Sequence, residues 1–130
     1  RDAGIYAYEA SLRRAGFEEG TIVGADVHLT GNIRAAIPHA RVLDASIPPQ
    51  AFPPAKTNGS CLVVWRDTEF DTKRKIALMP PELVKYLSEQ LYAYPRYQGA
   101  EGAIRRNLHQ SNEKAATLYY TFVRPSDFCR

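Results

Sequence analysis

No stretch of apolar residues approaches the roughly 18 to 20 positions that a bilayer-spanning helix needs, and no short apolar segment behind a basic start marks a secretion signal. The chain itself is therefore expected to stay out of a hydrocarbon core. Phosphate-binding glycine patterns are missing too. Neither G-x-G-x-x-G nor G-x-x-x-x-G-K-[ST] occurs, so dinucleotide and P-loop readings fall and no cofactor is expected. No G-x-S-x-G elbow surrounds Ser11, Ser46, Ser60, Ser88, Ser111 or Ser126, which removes the scaffold a serine nucleophile requires. Cysteine is scarce: Cys61 and Cys129 have neither the paired spacing of a zinc site nor the C-x-x-C of a redox centre.

Charge of one sign is not concentrated anywhere. The formal net charge is only +3, and Arg13, Arg14, Arg34, the run 73–75, Arg105, Arg106, Arg124 and Arg130 are scattered along the chain. Nucleic-acid binders gather such charge on one face, often between stacking aromatics, so no nucleic-acid partner is expected. What is present is ordinary globular composition, with 45% hydrophobic and 24% charged residues. At 130 residues the chain is long enough for one core, and residues 1–130 read as a single domain. Arg1 is not what removal of an initiator methionine leaves, which predicts a domain cut from a longer protein.

Apolar positions at Ile5, Tyr8, Leu12 and Ala15 recur at helical spacing and predict a first helix from Asp2 to the stop at Gly16. The β-branched run 21–25 predicts a buried strand ending at Asp26. Thr30 is a candidate cap for a short helix that ends before Pro38, and 40–45 predicts a second strand, completing a right-handed βαβ unit. Residues 46–60, with Pro48, Pro49, Pro53, Pro54 and Asn58-Gly59, predict a long proline-rich loop. Cys61 to Trp65 is the clearest buried strand, and the stretch from there to Ala77 reads as polar and turn-like. Pro80 and Pro81 open a third helix with the stripe Leu83, Tyr86, Leu87 and Leu91, ended by Pro95 and Gly99. Alternation in 103–110 and aromatic, β-branched residues in 117–124, joined by a turn at 111–114, predict an antiparallel hairpin. The expected fold is a small, Rossmann-like α/β domain: a mixed five-stranded sheet with a parallel βαβ part, a C-terminal antiparallel hairpin and about three packed helices.

In such a sheet, ligands collect outside the carboxyl ends of the strands, where helix N–H groups face outward. Asp26-Val27-His28-Leu29-Thr30-Gly31-Asn32-Ile33-Arg34 runs through that edge. The amides of Gly31 and Asn32, with Arg34 beside them, are candidates to hold an anion. Asp26 and His28 can meet Asp44 or Asp67 as an acid/base pair or metal ligands, and Arg66 ends the third strand at the same edge. The plainer reading has Asp26 accepting from loop amides and His28 packed with its ring hydrogen-bonded; it is preferred, and no metal site is expected. His39 and His109 read as structural or solvent-facing. Tyr92, Tyr94 and Tyr97 read as packing over the end of the sheet in preference to stacking on sugars. Cys61 and Cys129 are either bridged, closing a long loop, or one buried and one terminal thiol.

The strand Gly-Thr-Ile-Val, the turn Asp-x-His-x-x-Gly-Asn-x-Arg, then Pro38 to Val42, a proline-rich loop and Cys-Leu-Val-Val-Trp together resemble a bacterial membrane-protein tail. The chain is similar, from about Ile5 to Arg130, to the soluble C-terminal region of polytopic glycosyltransferases related to the dolichyl-phosphate-mannose protein mannosyltransferases. The resemblance implies a parent that moves a sugar from a polyprenyl-phosphate donor, with its catalytic acidic residue in an early extracytoplasmic loop. No catalytic residue then falls in this chain. It further implies a place on the periplasmic face of the bacterial inner membrane, where a Cys61–Cys129 bridge is permitted. The implied partners are the membrane body of the same polypeptide and a lipid-linked sugar or acceptor glycan. The competing expectation is a free-standing small α/β enzyme or ligand-binding protein using the crevice near Asp26 to Arg34.

Overall fold

A computed structural model describes residues 3–66, 70–105 and 117–130, with side chains from Tyr8 onward. The chain forms α1 (Ala3–Arg14), β1 (Gly20–Gly24), α2 (Val27–Ala36), β2 (Arg41–Asp44), β3 (Ser60–Trp65), β4 (Phe70–Asp71), β5 (Ile76–Ala77), α3 (Pro81–Gln90), β6 (Gly102–Arg105) and β7 (Thr117–Val123). Five strands make one mixed sheet in the order β2-β1-β3-β7-β6, as expected of a small α/β fold. β1 is parallel to both β2 and β3, with Gly24 level with Asp44 and Val64; β7 runs antiparallel to β3 and β6 antiparallel to β7. The turn expected at 111–114, with Asp67 and His109, lies outside the described residues.

Alternation along the strands sends side chains to two separate cores. Ile22, Val42, Leu62 and Val64 meet Tyr8 and Leu12 of α1 and Leu29 and Ile33 of α2 on one face. Val23, Leu43, Cys61, Val63 and Trp65 meet Leu83, Tyr86 and Leu87 of α3 on the other. The sheet is thus the middle of three layers, and all five residues of β1 are buried. Burial on both faces explains why the central strands read as continuous apolar runs.

Two strand starts depend on glycine. Gly20 has φ +132°, and a Cβ there would sit 2.1 Å from the Ser60 carbonyl oxygen; a Cβ on Gly59 would sit 2.2 Å from that of Glu19. This close approach lets the Ser60 amide donate to the Glu19 carbonyl at 2.9 Å and starts the β1–β3 pairing.

Three sequence expectations are corrected. α2 begins at Val27, one turn before Thr30, because the Asp26 carboxylate accepts the Leu29 amide at 2.8 Å and caps the helix. Thr30 is instead fully buried inside α2, its hydroxyl donating to the Val27 carbonyl. The segment read as polar and turn-like contains the β4–β5 hairpin, whose turn rests on Asp71: the Arg74 and Lys73 amides and the Arg74 side chain donate to its carboxylate and hold its pKa below the usual range. α3 stops at Gln90, well before Pro95, since Tyr92 adopts φ 51° and the Leu91 and Ala93 amides close on Tyr86 and Leu87.

That left-handed residue also decides the fate of the tyrosines. Ala93 takes the buried position after the turn, and Tyr92, Tyr94 and Tyr97 are exposed rather than packed over the sheet. Tyr92 lies beside the Phe128 ring at 5.6 Å, and the Arg96 guanidinium lies over Tyr97.

Candidate functional site

Parallel pairing brings the ends of three adjacent strands to one edge, so Asp26 after β1, Asp44 in β2 and Arg66 after β3 share it. The Arg66 Nη2 donates to both Asp26 oxygens, at 3.2 and 3.3 Å. One carboxylate thus caps α2 and holds the guanidinium across the gap between β1 and β3. That gap is where the strand order reverses, and the ion pair occupies it.

Asp44 is 1% exposed. Its Oδ1 accepts from the Ser46 amide at 2.8 Å and the Ser46 hydroxyl at 2.6 Å, while its Oδ2 is buried without a partner among the described residues. A buried carboxylate oxygen left unpaired is costly, and Asp44 carries that cost at this edge. Beside these strand ends a cavity of about 450 Å³ opens between Ala25, Ala45 and Ser46 on the sheet side and Pro80, Glu82 and Leu83 at the start of α3.

Tyr86 on α3 carries the largest electrostatic perturbation. Burial pushes its phenol up to about 12, the Arg41 charge opposes this and the Asp44 charge adds to it; its hydroxyl has no hydrogen-bond partner among the described residues. Burial in turn lowers the Arg41 guanidinium below its usual value, opposed by Tyr86.

The other candidates disperse. Gly31 and Asn32 lie inside α2 on its exposed side, so their amides are committed to the helix and cannot hold an anion. Arg34, two turns along, sits at the opposite edge, donating to the Val42 carbonyl at 2.9 Å with its guanidinium over Phe52. His28 is exposed, as is His39. No group of three His, Cys, Asp or Glu among the described residues is placed to hold a metal ion. Cys61 and Cys129 are joined in a disulfide buried against the α3 face.

Sequence reasoning missed Ser46 and Glu82, which line the cavity, and Arg41, Lys56 and Arg130, which converge elsewhere. Ser46 was legible two residues after a strand-end aspartate, a spacing that forms side-chain turns. The basic residues gave no signal, because only the returning proline loop brings them together.

Fold and site define a three-layer, disulfide-bridged α/β domain with a cavity, mostly apolar but carrying Ser46 and Glu82, at the carboxyl edge of its parallel strands. Compared with family models, curated proteins and solved structures, the chain matches none.

Proposed function

We propose that the chain is an extracytoplasmic accessory domain of a membrane glycosyltransferase that moves a sugar from a polyprenyl-phosphate donor, the domain itself being non-catalytic. The observation that carries this reading is the buried Cys61–Cys129 disulfide. Such bonds persist in oxidising compartments and are rare where glutathione keeps thiols reduced. The resemblance of the Asp26–Arg34 segment and the strand after the proline loop to protein-mannosyltransferase relatives supplies the activity of the parent. Within the domain, Ser46 and Glu82, which line the carboxyl-edge cavity, are the groups suited to hydrogen-bond the hydroxyls of an acceptor glycan, with buried Asp44 holding Ser46 in place.

A topology reporter fused after Arg130 in the full-length parent tests the placement. Alkaline phosphatase, active only outside the cytoplasm, should be active there; an inactive phosphatase with a fluorescent cytoplasmic reporter at the same position overturns it. In the same parent, Ser46→Ala and Glu82→Gln should raise the KM for acceptor and leave kcat unchanged. Unaltered kinetics in both remove the acceptor contact.

A second reading, a free-standing ligand-binding protein, is favoured by one observation: a strand-end cavity large enough for a small ligand, lined by Ser46 and Glu82. A parent chain without membrane spans, binding a sugar in solution, would select this reading.

A further inference from the structure

A second cavity, of about 390 Å³, opens at the amino end of β2, on the side of that strand that pairs with no other. Arg34, Arg41, Lys56 and Arg130 line it, against an apolar wall that includes Phe52 and Pro53. Among the described residues, no aspartate or glutamate lines it.

The guanidiniums are anchored by neutral oxygens rather than carboxylates. Arg34 Nη2 donates to the Val42 carbonyl at 2.9 Å, Arg41 Nε to Pro53 at 2.6 Å and its Nη1 to Phe128 at 2.7 Å, and Arg130 Nη1 to Thr57 at 2.9 Å. The ion pairs among the described residues involve Arg13, Arg66 and Arg74 instead. Four like charges therefore converge with no aspartate or glutamate paired to them among the described residues, each guanidinium held in place with donors to spare; Arg130 Nε is buried with no partner among those residues. Like charges held together repel, and a bound anion relieves that repulsion. Arginine forks match the oxygens of phosphate, and a doubly charged group answers four cations better than a single carboxylate does. The loop that forms the wall carries Pro48, Pro49, Pro53 and Pro54, which reduces the ordering cost of binding.

We propose that this cleft binds a soluble phosphate monoester, the phosphate between Arg41, Arg130, Arg34 and Lys56 and a small apolar or aromatic group against Phe52 and Pro53. The proposal does not rest on the glycosyltransferase reading and concerns the opposite edge of the sheet.

Titrating phenyl phosphate into the ¹⁵N-labelled chain, with amide shifts as the readout, tests it. Saturable shifts should concentrate at residues 41–42 and 52–57, and phenyl phosphate should bind more tightly than inorganic phosphate. Arg34→Gln and Lys56→Gln, at exposed side chains that leave both cores intact, should each weaken binding by about tenfold, the worth of one charge-assisted contact. Shifts spread over the surface without saturation, affinity unchanged in both variants, or a response to phosphatidylglycerol vesicles with none to phenyl phosphate would each overturn the proposal. Equal affinity for phenyl and inorganic phosphate would overturn its apolar half.

Discussion

Gly31 occupies a position in α2 where an added Cβ meets nothing within 4 Å. Alanine there loses less backbone entropy on folding, so Gly31→Ala should stabilise the domain by about 0.5–1 kcal/mol, read as a higher denaturant midpoint with unchanged slope. Tyr86 gives a second expectation at this scale. Its hydroxyl is buried and unpartnered among the described residues, so Tyr86→Phe should leave stability at neutral pH unchanged or slightly improved. Its pKa is raised to about 12 in the folded chain, while an unfolded tyrosine ionises near 10. The unfolded state therefore loses its proton first, and the folded state's advantage, complete below pH 10, disappears as pH climbs toward 12. Alkaline denaturation between those values should be shallower in Tyr86→Phe than in the native chain; superimposable curves would contradict the assignment. None of this was legible from sequence, where Tyr86 is one apolar position in a helical stripe.

At the scale of elements, Asp26 joins two of them. Asp26→Ala removes the α2 cap and the Arg66 pair together and should cost about 1–2 kcal/mol, while Asp26→Asn keeps the cap and loses mainly the partly exposed ion pair, costing under about 1 kcal/mol. Thermal unfolding of both variants checks the order, and equal losses would mean the cap contributes nothing. The strands at 20–24, 41–44 and 60–65 were readable because buried parallel strands are written as unbroken apolar runs. The start of α2 was misread because two cap-forming residues, Asp26 and Thr30, stand four positions apart, and sequence alone does not say which one leaves its amide neighbours unpaired. α3 was read too long for a related reason: Pro95 is an obvious stop, whereas the left-handed turn at Tyr92 is taken by a residue that seldom adopts it. The proline loop was visible as a loop, but its path back along β2, which assembles the basic cleft, depends on contacts distant in sequence.

For the whole molecule, the site is a product of topology. Asp26, Asp44 and Arg66 share one edge because three parallel strands end there, and of these Asp26 and Arg66 touch. Arg34 was assigned to the same edge and lies at the other, since a helix returning antiparallel to β1 carries its last turn to the strands' amino ends. What closes the architecture is the link from β3 to the C-terminal segment. The Cys61–Cys129 bond spans 68 residues, and there the Thr21 hydroxyl donates to the Arg130 carbonyl at 3.0 Å. Closing a loop of that length constrains the unfolded chain by roughly 4 kcal/mol, a large share of the stability of a domain this size.

The bond is also the support that the proposed function has for an oxidising compartment. Intact mass spectrometry under non-reducing conditions, on protein recovered from an oxidising compartment and treated with a thiol-alkylating reagent, measures it directly. The account predicts an unalkylated chain lighter by two hydrogens than its reduced form, and a marked fall in melting temperature on reduction. Two alkylated cysteines in the untreated protein, with a melting temperature indifferent to reductant, would contradict it.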